Sequence, residues 1–424
     1  LENYKGQFLS LLNGNSESQK SVMLKKAILN KNCGWFFMQE SKNFKKIPGS
    51  PINFSLSDRM LGLFDYPLIS TKCNSGFGIK TGNNDLFMRY WYECSLKNID
   101  FCEDGNKLYK RWYPCTSGGF FRKWYGNQLY IVDYENEGFR IKKYAEENRN
   151  SFGFTNKSFY FKEFLTWSKL TSGKNSFRLT PKGFIFDGVG LFASFDKSVN
   201  QENILSFLNS KLGSILLRSI APTLSLTSGD FLKLPLLEKK GENNFQSERL
   251  ILIAKTDWDS YEISWNFANL HLLSVKNRGD TLEKTYNLLR SKWDKMTIET
   301  KLIEEKNNKI YIDLFELSQE LTPEVNINEI SLTCNPAYRY GNNLNSNEKE
   351  EKLKKDTIKE LISYSVGCMF GRYSLEHPGL ILANKGETLE DYLKIISNPS
   401  FIPDDDNVIP ILELDWFKDD ITAR

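Results

Sequence analysis

Three spacings in this 424-residue chain could carry chemistry, and each needs support from its surroundings. Asn335-Pro336-Ala337-Tyr338 has the outline of an N-P-P-[YF] loop, whose side-chain and backbone acceptors hold the amino group of an extruded adenine while the ring is stacked. Ala337 stands where a second proline would stiffen the backbone that aims those acceptors. The same chemistry needs a glycine-rich S-adenosylmethionine loop after a strand. Phe186-Asp187-Gly188-Val189-Gly190 resembles one, but no alternation of strand and helix surrounds it. Asp230 with Glu238-Lys239-Lys240 has the D…E-x-K spacing of Mg²⁺-dependent nucleases, where two carboxylates hold the ion and the lysine orients a water. Pro235 breaks the intervening strand. Gly78-Ile79-Lys80-Thr81-Gly82 sets a Lys-Thr pair beside glycines without the G-x-x-x-x-G-K-[ST] order that cradles a triphosphate. The expectation is that none of these is catalytic and that the chain itself holds no metal or cofactor.

What remains is a set of basic-aromatic loops. Lys80-Thr81-Gly82-Asn83-Asn84 lies between strands, with Arg89 following. An Asn amide can bridge the N6 and N7 edge of adenine, and Lys or Arg can reach guanine or phosphate. Gly118-Gly119-Phe120-Phe121-Arg122-Lys123-Trp124-Tyr125-Gly126-Asn127 is a second such loop, with glycines for close backbone approach and two cations for phosphate. The DNA-contacting set expected is Lys80, Thr81, Asn83, Asn84, Arg89, Arg122, Lys123, Trp124 and Arg178.

Charge supports that reading. Residues 1–250 hold 35 Lys and Arg against 23 Asp and Glu, a net +12, and residues 251–424 carry −9. A basic, aromatic-rich front suits a polyanion, and an acidic rear suits a protein partner better. With only His271 and His377, mechanisms needing several His ligands or a His base are nearly excluded. Seven cysteines without a C-x-x-C pair read as reduced thiols in a cytoplasmic protein. No apolar run approaches the roughly 20 residues of a membrane span.

The elements that must position these loops are of two kinds. Residues 51–240 read as β-rich, with strand signals at Phe87–Tyr92, Gln128–Val132 and Gly183–Phe186 bounded by Gly and Asn. A helix is expected near 201–220, from Ile204, Leu205, Leu208, Leu212, Ile215 and Leu216. Residues 241–424 read as mainly helical. Leu282, Tyr286, Leu289, Trp293 and Met296 form one stripe of a helical run that Thr322-Pro323 should stop. Asn342–Lys355 reads as an exposed loop entering a helix over about 356–371. The fold class expected is α+β, without a Rossmann-like methyltransferase domain. Residues 1–50 serve as a connector, 51–240 as a recognition domain and 241–424 as a helical domain.

Several long stretches carry a resemblance. They include Ile47–Ile52, Gly78–Glu93 (GIKTGNNDLFMRYWYE), Gly118–Asn127 (GGFFRKWYGN), Leu165–Ser168, Leu208–Lys211, Asp257–Glu262, Ile362–Tyr373 (ISYSVGCMFGRY) and Pro403–Pro410. In this order they resemble the C-terminal, target-recognising part of the adenine-specific DNA methyltransferases of BREX phage-defence systems, the PglX family. They resemble more weakly the specificity regions of single-chain restriction-modification enzymes. In that family the cofactor loop and the true N-P-P-Y lie upstream, so the resemblance implies a fragment lacking the catalytic domain. It also implies S-adenosyl-L-methionine for the intact parent and double-stranded DNA as partner, with other phage-defence proteins or a phage inhibitor as further partners. A protein-interaction scaffold and an active restriction or methylation enzyme remain the alternatives.

Overall fold

The computed structural model describes residues 4–101, 109–171, 173–237, 246–274 and 278–404, and it is of mixed α+β class. An antiparallel pair, β1 (Lys5–Leu9) and β2 (Phe36–Glu40), opens the chain around α1 (Glu17–Leu29), whose N-terminus Ser16 caps. Two short helices follow, α2 (Ser41–Phe44) and α3 (Asp58–Gly62). The stretch expected as a connector thus contains a strand pair and helices.

Among the described residues the β-rich part has ten strands. These are β3 (Cys73–Gly76), β4 (Ile79–Lys80), β5 (Met88–Tyr90), β6 (Trp112–Thr116), β7 (Tyr130–Asp133), β8 (Gly153–Phe154), β9 (Phe164–Ser168), β10 (Phe177–Thr180), β11 (Ile185–Phe186) and β12 (Gly190–Phe195). One sheet has the order β10-β9-β12-β3 and is antiparallel throughout. The other, β11-β6-β7-β5, is antiparallel except where β11 runs parallel to β6. A third pair joins β4 to β8.

Side chains of a strand alternate between faces, and β12 shows what that does here. Phe192 turns to Phe186 of the second sheet, ring centroids 4.1 Å apart, while Leu191 and Ala193 face helices. In β9 Phe164 joins the same inter-sheet core, and Leu165 and Trp167 face the other way. The first sheet is therefore packed on both faces through β9 and β12.

The helices are α4 (Asn84–Phe87), α5 (Glu135–Asn148), α6 (Gln201–Leu208), α7 (Lys211–Ile220), α8 (Ser228–Phe231), α9 (Ser247–Trp258), α10 (Leu282–Leu314), α11 (Pro336–Arg339), α12 (Ser346–Met369) and α13 (Leu389–Ile395). The expected 201–220 helix is two, because Ser210 caps a new N-terminus at Gly213 N. Helix α10, 33 residues and about 50 Å long, buries Tyr286, Leu289, Trp293, Ile303 and Tyr311 along one stripe. It ends at Leu314, ahead of the expected stop. The polar stretch expected as a loop before residue 356 is already helix, since α12 starts at Ser346 behind an Asn345/Glu348 capping box.

The largest core runs without interruption across residue 240. Leu165, Trp167, Phe177, Leu205 and Leu216 from the front share it with Leu250, Ile253, Trp293, Ile303 and Tyr311 from the rear. Front and rear therefore meet over a packed apolar seam. No helix among the described residues is long and apolar enough to cross a membrane.

Candidate nucleic-acid interface

The loop around residue 80 is short and braced. Gly78 N–H donates to Asp187 O at 3.1 Å, and Ile79 bridges Asp187 in parallel, so the segment runs beside β11 before pairing with β8. Ile79 is buried and Lys80 is exposed, as the alternation of a strand requires. Lys80 Nζ donates to Ser151 Oγ at 2.5 Å. Gly82 sits at φ +76°, and a Cβ there would lie 3.0 Å from Ser151 O. Its lack of a side chain lets the 80s loop close against residues 150–151.

The expected contact residues divide in two. Thr81 is buried, and its hydroxyl donates to Asn84 Oδ1 at 2.5 Å. Asn83 caps α4 through Leu86 N and donates to Tyr144 OH at 3.0 Å. These two hold the loop's shape. Lys80 and Asn84 face solvent. Arg89, half-buried on β5 opposite Ile131, folds its guanidinium back onto the carbonyls of Asp85 and Met88, the latter at 2.7 Å. Beside them Arg149, Asn150 and Ser151 are exposed, with Arg149 in the left-handed conformation (φ 54°) at the end of α5. The sequence reading missed these three. The only signal was the Asn148-Arg149-Asn150-Ser151 run, a polar helix end like many others.

The second loop behaves differently. Arg122, Lys123, Trp124 and Arg178 are 3%, 5%, 2% and 1% exposed, so the expectation that they face DNA is corrected. Trp124 takes a positive φ of 73°, and its backbone adds to the β10 edge, with N–H to Phe177 O and Leu179 N–H to its own carbonyl, both 2.9 Å. That aims the flanking side chains at the rear helices. Arg122 donates to Asp257 Oδ2 on α9 at 2.6 Å, to Thr333 Oγ1 at 2.8 Å and to Tyr125 O at 2.9 Å, and lies over the Trp258 ring. Asp257 also accepts from Thr333 N at 2.7 Å and Cys334 N at 2.9 Å. Lys123 pairs with Glu304 on α10, whose other oxygen accepts from Trp124 Nε1 at 2.7 Å. These charges are spent inside the protein, where low dielectric makes each pair costly to open.

Arg178 has no carboxylate partner among the described residues. Its Nη1 reaches Arg122 O at 3.1 Å and Ser176 Oγ at 3.4 Å, and its Nε is unsatisfied. Burial, with the Arg122 charge adding, draws its guanidinium down to about 10.

Residues of the motifs set aside as chemistry make structural contacts. Asn335 caps α11: Nδ2 donates to Ile327 O and Ile330 O, both 2.8 Å, and Oδ1 accepts from Ala337 N at 3.1 Å. Both amide hydrogens and one lone pair of Oδ1 are thereby engaged within the protein. Tyr338 donates to Phe121 O, tying the same seam. Asp187 Oδ1 accepts from Val189 N and Gly190 N at 2.7 Å, and its Oδ2 accepts from Ser117. A Cβ on Gly190 would strike Thr116 O at 2.6 Å, so this glycine serves close strand packing. Burial raises the Asp187 carboxyl against the pull of those donors. Asp230 is consumed in a capping box with Thr227 at 2.7 Å, and Glu238 to Lys240 lie outside the described residues. Among the described residues no group of three or more His, Cys, Asp and Glu could hold a metal ion.

No family model matches the chain. The adenine-specific methyltransferase BrxX of Escherichia coli O9:H4 (strain HS) is 33% identical to it over 427 residues, covering 99% of this chain and 33% of that protein. The adenine-specific methyltransferase PglX of Lacticaseibacillus casei (strain Zhang) is 32% identical over 431 residues, covering 99% of this chain and 34% of its own length. The chain thus spans about one third of the curated relatives it matches, and by similarity along nearly its whole length it belongs to the BREX PglX-type methyltransferase family.

Proposed function

We propose that this chain is the DNA-sequence-recognising part of a BREX-type adenine-specific methyltransferase, and that a part of the parent outside it transfers the methyl group from S-adenosylmethionine to adenine N6. The observation that carries the reading is the braced, solvent-facing group Lys80, Asn84, Arg149 and Asn150 on the basic front of the molecule. Cations of this kind neutralise phosphates, and Asn amides read base edges. Residues 51–240 act as the recognition unit. Residues 241–424 hold it in place through the seam at Asp257 and Glu304.

The experiment is a salt titration of the chain against duplex DNA, with S-adenosylmethionine calorimetry alongside. Affinity that falls steeply with salt, and no cofactor heat, is the expected result. Cofactor heat would show that part of the methyl-transfer machinery lies within the chain. A second reading, protein docking by the rear, draws on the exposed Leu288, Ile298 and Leu302 of α10 in the acidic half. Absence of DNA binding even at low salt would put it ahead.

A further inference from the structure

Phe120 occupies an unusual position. Its side chain is 87% exposed, and among the described residues it has no aromatic partner. An exposed ring on a loose loop would mean little, but this loop is fixed. Three consecutive carbonyls are each held by a side chain from a different segment. Ser168 Oγ donates to Gly119 O at 2.8 Å, Asn127 Nδ2 to Phe120 O at 2.9 Å, and Tyr338 OH to Phe121 O. Gly118 and Gly119 have φ of +71° and +128°, and a Cβ on Gly119 would meet the Asn127 side chain at 2.5 Å. Immediately after the tip, Arg122 and Lys123 anchor the chain in the seam. The backbone is thus locked on both sides of a ring left in solvent, forgoing the stabilisation that burying such a side chain yields.

We propose that Phe120 is a wedge that enters between two base pairs of DNA, and that it contributes to site choice by favouring steps that unstack easily. The inference rests on the DNA-recognition reading and deepens it. The tip leaves the protein three residues after Ser117, whose hydroxyl bonds Asp187, the residue beside which Gly78 and Ile79 run toward Lys80. Phe120 and Lys80 thus each lie within three residues of a contact to Asp187. The front half that presents them carries +12, which favours a polyanion over an apolar protein surface. Apolar side chains inserted in this way unstack a step and bend the duplex, at a cost that depends on the step.

The test needs no knowledge of the recognition sequence. Binding of the whole chain is compared on a perfectly paired duplex and on the same duplex with one unpaired base, which lowers the cost of entry. The wild-type chain is expected to prefer the second by roughly tenfold, in line with the stacking energy of one ring on a base. Phe120→Ala should abolish the preference while leaving the salt slope unchanged, and Phe120→Trp should retain it. Equal affinity of the wild type for both duplexes, or a preference that survives Phe120→Ala, overturns the wedge while leaving DNA recognition standing. No binding of either duplex by the wild type overturns the recognition reading itself.

Discussion

The loops at residues 80–84 and 118–127 look alike as sequences. Both combine glycine, one or two basic residues, asparagine and aromatic neighbours. In the structure one lies on the surface, where Lys80 donates to Ser151. The other sends its two cations inward to Asp257 and Glu304, 135 and 181 residues further along the chain. The difference lies in what the strand edge does. The residue 80 loop pairs with β8 and leaves alternate side chains in solvent, whereas Trp124 joins the β10 edge that faces the helices. Cations beside glycines can equally serve a phosphate or a distant carboxylate. Only the second use is expensive to disturb.

The largest expected effect tests that contrast directly. Arg122→Ala leaves Asp257 buried without its cation and should cost about 3–5 kcal/mol in urea unfolding. Among variants that still fold, the salt slope of DNA binding should be unchanged. A slope reduced by one phosphate contact would return Arg122 itself to the interface. Lys123→Met should cost a similar amount by stranding Glu304, and adding Glu304→Gln should recover most of it. The new amide oxygen can still accept from Trp124, and no charge is left buried. Failure of the double variant to recover stability would mean that the ion pair, and not the stranded charge, carries the energy.

On the other loop the effects should be smaller in stability and larger in binding. Gly82→Ala should destabilise by about 1–2 kcal/mol, because φ +76° suits glycine and Ser151 O crowds the new methyl. Weaker DNA binding should accompany it as the loop shifts. Lys80→Ala with Arg149→Ala should leave stability within about 0.5 kcal/mol. It should flatten the slope of log affinity against log salt by about 2, as for two lost phosphate contacts. An unchanged slope would remove this face from the interface.

Much of the architecture is legible from local pattern. The Leu289-Trp293 stripe marks α10, and β-branched and aromatic runs mark β7 and β11. Where reading failed, the cause is local too. The start of α12 is almost wholly polar, so it lacks apolar periodicity. It is instead set by the Asn345/Glu348 box. Residues beyond Thr297 on α10 turn polar on the buried side, with Thr300, Glu304, Asn307 and Asn308 inside. Their partners, Lys123, Trp124, Ser206 and Lys211, are remote in sequence, so nothing nearby reveals why a polar stripe should be buried.

By itself the sequence determined the α+β class, the family, the charge division between front and rear, and the weakness of each catalytic motif. The class, the charge division and the motifs depend on composition and on neighbours within a few residues, and the family on similarity along nearly the whole chain. Tertiary structure alone decided which cations reach solvent. A charged side chain is exposed or paired according to what the fold brings against it, and for Arg122 and Lys123 that is a pair of carboxylates on helices far along the chain.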